Sequence, residues 1–208
     1  MVVSRNMQLS LLLLCMIFLP FHTPAQGTLR ELPMESEFHF ARLAFGVNGH
    51  PFTSHRGEPW LRDWPDAEYH FMEGVNRLTR LDATGEFRQV SLTNDALYDY
   101  PVIYAVKVGY WDLRRQEVDR LREYLLRGGT LIVDDFHGPN EWFQFISSLK
   151  RVFPDRQIID IPDDHEVFHV HYDLDDRVQV PGRNAVYSGV SWEHPLGIPE
   201  YWRGVFDD

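Results

Sequence analysis

The chain has 208 residues, of which 44% are hydrophobic and 25% charged, and its formal net charge is −11. These proportions are typical of a folded globular chain and exclude a disordered one, and the length suits one domain with its own core. The negative charge argues against nucleic acid and anionic lipid surfaces as partners, because phosphate groups would be repelled.

The first 26 residues have the pattern of a secretory signal. Arg5 is the one charged side chain before the apolar run of residues 9–19, and a small-residue cleavage site ends near Ala25. A retained membrane anchor is the alternative, but a span needs roughly 20 apolar residues. We therefore expect an exported domain over 27–208, periplasmic or extracellular, that meets the membrane only through an uncleaved signal. Removal of Cys15 with the signal would leave no disulfide and no thiol nucleophile.

The first half of the domain alternates between extended and helical patterns. Asp66 is a plausible N-cap for a helix, and the Gly/Pro-rich segment before it, which contains several Trp and His residues, has the length of a functional loop. The predicted elements are a strand over 38–47, a long loop over 48–65, a helix over 66–81, a short strand over 89–92 and a helical turn over 95–98.

The centre of the chain has the clearest pattern. Asp112 and Asn140 are the expected N-caps of two helices, and Gly128-Gly129 is the expected stop of the first. The predicted strands are 100–108, 130–133 and 157–161, with a further strand-like stretch over 167–172. Strands that alternate with helices predict a parallel sheet with right-handed crossovers.

Several short blocks of this sequence together resemble a bacterial family known as domain of unknown function 4159. The resemblance extends from about Phe38 to the end of the chain. The blocks are Trp64-Pro65-Asp66, Tyr100-Pro101, Gly128-Gly129, Asp134-Asp135-Phe136-His137-Gly138, Phe153-Pro154-Asp155, Asp164-His165 and Phe168-His169.

The resemblance implies a flavodoxin-like three-layer sandwich with a mostly parallel sheet, of the class I glutamine amidotransferase-like type. Amidotransferases of that superfamily carry a nucleophilic cysteine on the turn between a strand and a helix, where this chain has Phe136. Amidotransferase activity is therefore not carried over. In the family the chain continues past a motif like Val205-Phe206-Asp207-Asp208, so the resemblance also implies that this domain is incomplete at its C-terminus.

Two groups of polar residues follow predicted strands. Asp134, Asp135 and His137 come after the strand at 130–133, and Asp164 and His165 come after the next strand. Ligands of doubly wound sheets bind outside the carboxyl ends of the strands, so the two groups would share one crevice if their strands are neighbours.

The same residues support more than one interpretation. Asp135, His137, His165 and His169 have the ligand chemistry of a divalent metal site, although no compact ligand motif is present and no cofactor is firmly implied. The structural alternative is that the aspartates cap a helix or hold the loop backbone, with His137 as a hydrogen-bond partner.

Two tryptophans suggest what a ligand would be. Trp60 and Trp64 lie in the long loop, where indole rings could stack on sugars. The sequence has no Gly-x-Ser-x-Gly elbow and no phosphate-binding glycine loop. We therefore expect a non-catalytic module of the cell envelope that binds a glycan or a protein. The alternative is a metal-dependent hydrolase that uses the Asp/His cluster.

Overall fold

The structure is a computed structural model that describes residues 37–47, 58–83, 87–177, 180–190 and 202–206. The predicted signal and most of the predicted loop at 48–65 lie outside the described residues. Within the described ranges, no helix is both long enough and apolar enough to cross a membrane.

Four parallel strands form the central sheet, in the order β2-β1-β3-β4. This arrangement confirms the predicted α/β fold with a mostly parallel sheet. The strands are β1 (Phe40–Ala44), β2 (Arg88–Ser91), β3 (Val102–Val106) and β4 (Thr130–Asp134).

Helices cover the sheet on both faces, which makes three layers. The helices are α1 (Asp66–Leu78), α2 (Arg115–Leu126) and α3 (Gly138–Val152). The step from β1 to β2 and the step from β3 to β4 run in opposite directions across the sheet. Right-handed crossovers therefore place α1 on one face and α2 on the other. The packing agrees, because Met72 of α1 clusters with Phe40, whereas Leu121 of α2 belongs to the main core with Leu43.

The side chains of β1 show why both faces of the sheet need a covering layer. All five residues of this strand are buried, as expected for the interior of a parallel sheet. Leu43 and Ile103 belong to the core beneath α2 and α3. Arg42 of β1 and Tyr104 of β3 form a second set, and they lie opposite each other in the pairing of these two strands. Because side chains alternate along a strand, the two sets lie on opposite faces.

The predicted glycine stop at the end of α2 is confirmed. Gly128 adopts φ +93°, a conformation that glycine tolerates best, and a Cβ on Gly129 would lie 2.3 Å from the ring of Tyr124. That ring is buried, and its hydroxyl donates to the carbonyl of Tyr100. Burial raises the pKa of Tyr124 to about 12. The two glycines therefore let the chain turn tightly over a fixed tyrosine into β4.

The predicted helix caps were wrong. Asp66 is the first residue of α1 and not its N-cap, and Asn140 lies inside α3, whose N-cap is His137. Asp112 lies outside α2, which begins at Arg115. The carboxylate of Glu117 accepts a hydrogen bond from the backbone N–H of Arg114, the residue before the helix. Proline in the first turn of α3 favours a helical start at that point, which is why the helix begins earlier than predicted.

Two predicted strands also differ from the structure. The segment 157–161 was expected to join the parallel sheet, but β5 (Ile159–Asp160) pairs antiparallel with β6 (Arg203–Gly204) in a separate two-stranded sheet. The stretch 167–172 is not a strand, because the short 3-10 helix Glu166–Phe168 turns the chain and the N–H of Leu174 bonds back to the carbonyl of Phe168. A further short helix, α4, spans Arg183–Tyr187.

Candidate functional site

Three charged or titratable side chains meet where β3 and β4 end. The Nζ of Lys107, immediately after β3, lies 3.3 Å from Oδ1 of Asp135, and Nε2 of His137 lies 2.9 Å from the same oxygen. We call Lys107, Asp135 and His137 the strand-end cluster. Its position is the one where ligands bind in open α/β sheets, outside the carboxyl ends of the strands.

The backbone of the strand-end cluster is held in an uncommon conformation. Lys107 has φ +54° and Asp135 has φ +55°, and neither is a glycine. The N–H of Lys107 lies 3.2 Å from the carbonyl oxygen of Asp134 and 3.1 Å from that of Asp135. Left-handed non-glycine residues cost free energy and tend to occur where a site needs a fixed geometry. The two loops are therefore fastened to each other by their backbones as well as by their side chains.

Asp135 is the centre of the cluster. One carboxylate oxygen contacts Lys107 and His137, whereas the other, Oδ2, is buried and has no hydrogen-bond partner among the described residues. A buried carboxylate oxygen without a partner is costly, because it has lost its hydration and gained nothing in return. Because solvent does not reach this oxygen, a ligand hydroxyl or N–H could bond to it only after the groups that cover it had moved.

The first turn of α3 closes one side of the site. The backbone N–H of His137 donates to Oε2 of Glu141, at 2.8 Å. Gly109, in the 3-10 helix Val108–Tyr110, lies so close to α3 that a Cβ there would be 2.4 Å from Cβ of Glu141. The ring of Phe136 stacks on Trp142 at 5.5 Å, which explains why an aromatic residue occupies the position between the two polar ones.

A second polar network lies between β1 and α1, on the face of the sheet that α1 covers. Nε of Arg42 on β1 donates to Oε1 of Glu68 on α1, and both side chains are fully buried. Nη1 of Arg42 donates to the carbonyl of Trp60 at 2.9 Å, and the guanidinium lies 4.8 Å from the ring centroid of Tyr104. The charges of this ion pair are therefore compensated across two layers of the fold.

Tyr104 connects the two networks. Its hydroxyl donates to Oδ2 of Asp134 at 3.0 Å, and Oδ1 of Asp134 accepts from the N–H of Asp135 at 2.7 Å. Burial and then the nearby carboxylate of Asp134 raise the pKa of Tyr104, because both disfavour its ionised form. Tyr104 therefore stays protonated and holds Asp134 as an acceptor.

The interpretation of Asp134, Asp135 and His137 as neighbours at the sheet edge is thus confirmed. The structural interpretation is confirmed in part: Asp134 holds the loop backbone and His137 bonds Asp135, but neither aspartate is the N-cap of α3.

The second predicted group makes its contacts within the C-terminal segment. Nδ1 of His165 accepts from the N–H of Val167, and the ring lies 5.1 Å from that of Phe206, whereas Asp164 is exposed. His169 bonds the carbonyl of Asp163 and the carboxylate of Asp173; these two contacts raise its pKa. The shared crevice required neighbouring strands, and β5 is not part of the parallel sheet.

Of the four residues proposed as metal ligands, two lie together in the structure. Asp135 and His137 are in contact, whereas His165 and His169 have the other partners described above. In the described ranges, no group of three or more His, Cys, Asp or Glu side chains is arranged to hold a metal ion.

The two tryptophans that were predicted to bind a ligand pack against other side chains of the domain. Trp60 is 1% exposed and belongs to the main core, so its ring cannot stack on a ligand, and this part of the prediction was wrong. Trp64 is half-buried, with its ring 6.3 Å from Phe87 and 5.9 Å from the guanidinium of Arg42. Trp64 therefore helps to shield the buried Arg42–Glu68 ion pair from solvent.

Sequence reasoning missed Lys107, Arg42 and Glu68. A signal was present for two of them, because Lys107 interrupts the apolar run Val-Ile-Tyr-Ala-Val-Lys-Val and Arg42 stands within the aromatic first strand. A charged residue inside a strand that must be buried needs a partner. Glu68 gave no such signal, since it sits among other polar residues of an amphipathic helix.

A family model described as Domain of unknown function (DUF4159) matches residues 39–202. The match covers most of the chain, and the chain belongs to this family. No curated protein matches the sequence significantly.

Proposed function

We propose that this domain is an exported, non-catalytic binding module of the cell envelope, and that its strand-end cluster takes a polyhydroxylated ligand such as an envelope glycan. The observation that carries the proposal is the meeting of Lys107, Asp135 and His137 at the carboxyl ends of β3 and β4, where the side chain of Asp135 is 25% exposed. Export is inferred from the sequence pattern of residues 1–26 alone.

The chemistry of the cluster favours hydroxyl groups over anions. Asp134 and Asp135 supply carboxylate acceptors for ligand O–H groups, and Lys107 supplies a donor for ligand oxygens. Glu141 adds another carboxylate at the first turn of α3, so acidic groups outnumber the one lysine and an anionic ligand would be repelled. Tyr110, whose backbone N–H donates to the carbonyl of Lys107, is 46% exposed and is our candidate for the stacking ring that Trp60 does not supply.

The proposed fold class is flavodoxin-like. The order β2-β1-β3-β4 is the first part of the 2-1-3-4-5 order of that class, whose ligands bind near the switch point between the first and third strands. Lys107 directly follows the third strand, which supports the choice of site. The placement in the class I glutamine amidotransferase-like superfamily is proposed from the sequence resemblance alone.

The proposal predicts that Asp135→Asn weakens glycan binding by about tenfold or more, because a hydrogen bond to a charged group contributes about 1.5–3 kcal/mol. The measurement is titration calorimetry of the full chain with neutral envelope oligosaccharides, including N-acetylglucosamine oligomers. Amide NMR shifts are recorded in parallel at Lys107, Asp135 and His137.

Asp119→Asn is the matched control, since Asp119 is an exposed aspartate on α2 that pairs with Arg115 and not with a member of the strand-end cluster. It should leave the affinity unchanged. Equal losses in both variants, or amide shifts confined to other regions of the chain, would argue against the strand-end cluster as the binding site.

The alternative is a metal-dependent hydrolase that uses Asp135 and His137. Among the residues that the structure describes, these are the only two of the proposed ligands in contact with each other, whereas catalytic zinc sites commonly have three. We expect protein purified without chelator to carry no stoichiometric metal by elemental analysis. A stoichiometric metal that disappears in Asp135→Ala or His137→Ala would favour the hydrolase instead.

A further inference from the structure

Lys107 is the member of the strand-end cluster with unused hydrogen-bonding capacity. An ammonium group has three N–H donors. In the described part of the chain, the one contact of this ammonium is its ion pair with Oδ1 of Asp135, at 3.3 Å. The side chain of Lys107 is 15% exposed, so a ligand can reach part of it. At least two of its three donors therefore have no partner among the described residues.

The nearby carboxylates are largely occupied by the domain itself. Each oxygen of Asp134 accepts one hydrogen bond, from the hydroxyl of Tyr104 and from the N–H of Asp135. Oδ1 of Asp135 contacts both Lys107 and His137, and Oδ2 is buried. A ligand hydroxyl would have to share oxygens that are already bonded, whereas a ligand acceptor would meet donors of Lys107 that are not. The free capacity at these residues is thus mainly a capacity to donate.

The charge of the cluster restricts which acceptor suits these donors. Asp134, Asp135 and Glu141 surround one lysine, so a carboxylate or phosphate group of a ligand would be repelled. A hydroxyl is neutral, but once buried it also needs an acceptor for its own proton. The amide carbonyl of an N-acetyl group is a neutral acceptor without that need, and a hydrogen bond to it from an ammonium is charge-assisted.

The backbone of Lys107 holds the base of its side chain in place. The residue has φ +54°, and its N–H lies within 3.2 Å of the carbonyl oxygens of Asp134 and Asp135. A donor on a backbone that is already ordered loses less conformational freedom when it binds a ligand. Lys107 is therefore suited to distinguish between ligands that differ in one acceptor group.

We propose that Lys107 makes the strand-end cluster selective for N-acetylated amino sugars, by donating from its ammonium to the acetamido carbonyl of the ligand. This inference rests on the proposed function, because it requires that a glycan binds at the cluster. It adds the chemical class of the sugar and the residue that determines the specificity.

The test is titration calorimetry of the full chain with three tetramers of the same linkage, made of N-acetylglucosamine, glucose or glucosamine. The first two differ in the acetamido group that replaces one hydroxyl on each ring. The unmodified chain should bind the acetylated tetramer about tenfold more tightly than the other two, since a charge-assisted hydrogen bond is gained. Lys107→Met keeps an unbranched side chain without the ammonium and should bind the acetylated and glucose tetramers equally.

Lys150→Met is the matched control, because Lys150 is an exposed lysine on α3 and its loss should leave the preference unchanged. Equal affinities of the unmodified chain for the acetylated and glucose tetramers would overturn the selectivity and leave glycan binding in place. A preference that persists in Lys107→Met would also overturn it. Tighter binding of the glucosamine tetramer would do the same, since the carboxylates would then be selecting an amine. Binding to none of the three would count against the proposed function, and this inference would fall with it.

Discussion

Replacing Glu68 with glutamine should lower the free energy of unfolding by about 3–5 kcal/mol, the cost of removing one partner from a buried ion pair. Glu68 and Arg42 are both fully buried, and their contact joins α1 to the centre of the sheet. Glutamine keeps the size of the side chain but cannot neutralise the guanidinium. Nη1 of Arg42 would retain its two backbone carbonyl acceptors, so the loss should fall mainly on the missing charge.

Urea denaturation followed by circular dichroism measures this difference. Glu123→Gln is the matched control, because Glu123 forms an ion pair with Arg127 at 2.9 Å on the protein surface, where such pairs contribute about 1 kcal/mol or less. The double variant Arg42→Met/Glu68→Leu should recover part of the stability, since an apolar pair leaves no buried charge behind, whereas the carbonyls of Trp60 and Arg62 lose their donor. Equal losses in Glu68→Gln and Glu123→Gln would show that the buried pair is not a major contributor.

The sequence was sufficient to predict the sheet where the pattern was local. The apolar residues of β3 and β4, the amphipathic α2 between them and the Gly128-Gly129 stop each follow from neighbouring residues. Parallel strands joined by a helix then place Asp135 and His137 at the carboxyl edge without further information. That part of the site was therefore predictable.

The remainder of the site depends on contacts between distant residues. Arg42 and Glu68 are 26 positions apart, and no local pattern shows that an arginine of β1 would find a glutamate of α1. Arg42 also donates to the backbone carbonyl of Trp60, 18 positions away, which no local pattern shows either. Likewise, β5 is only two residues long, and its antiparallel partner lies more than 40 residues later. No local feature of the sequence therefore contradicted the prediction of another parallel strand.

The buried ion pair and the strand-end cluster are linked through one side chain. Tyr104 packs against the guanidinium of Arg42 and donates to Asp134, whose other oxygen fixes the N–H of Asp135. Loss of Arg42 or Glu68 would therefore affect the position of the cluster as well as the stability of the sheet. For this reason, the glycan-binding comparison is made with Asp135→Asn, which leaves the ion pair intact.

Gly109→Ala should both destabilise the domain and weaken glycan binding. Its Cβ would lie 2.4 Å from Cβ and 2.9 Å from Cα of Glu141, so rotation of a side chain cannot relieve the clash and α3 must move. Overpacking of this kind costs about 1–3 kcal/mol. Because Glu141 accepts the N–H of His137, a shift of α3 would also separate His137 from Asp135 and reduce the affinity for the glycan by about tenfold.

Gly74→Ala is the matched control for this substitution. Gly74 lies inside α1, and in the described part of the chain no atom outside the adjacent residues and the helix's own backbone lies within 4 Å of the position where its Cβ would be. Alanine there therefore adds no clash and removes the entropic cost of a glycine in a helix. It should raise the free energy of unfolding by about 0.5–1 kcal/mol and leave glycan binding unchanged. The same added methyl group thus has opposite effects at the two positions. A Gly109→Ala variant as stable as the unmodified chain, with its affinity retained, would show that the close approach of α3 does not position the strand-end cluster.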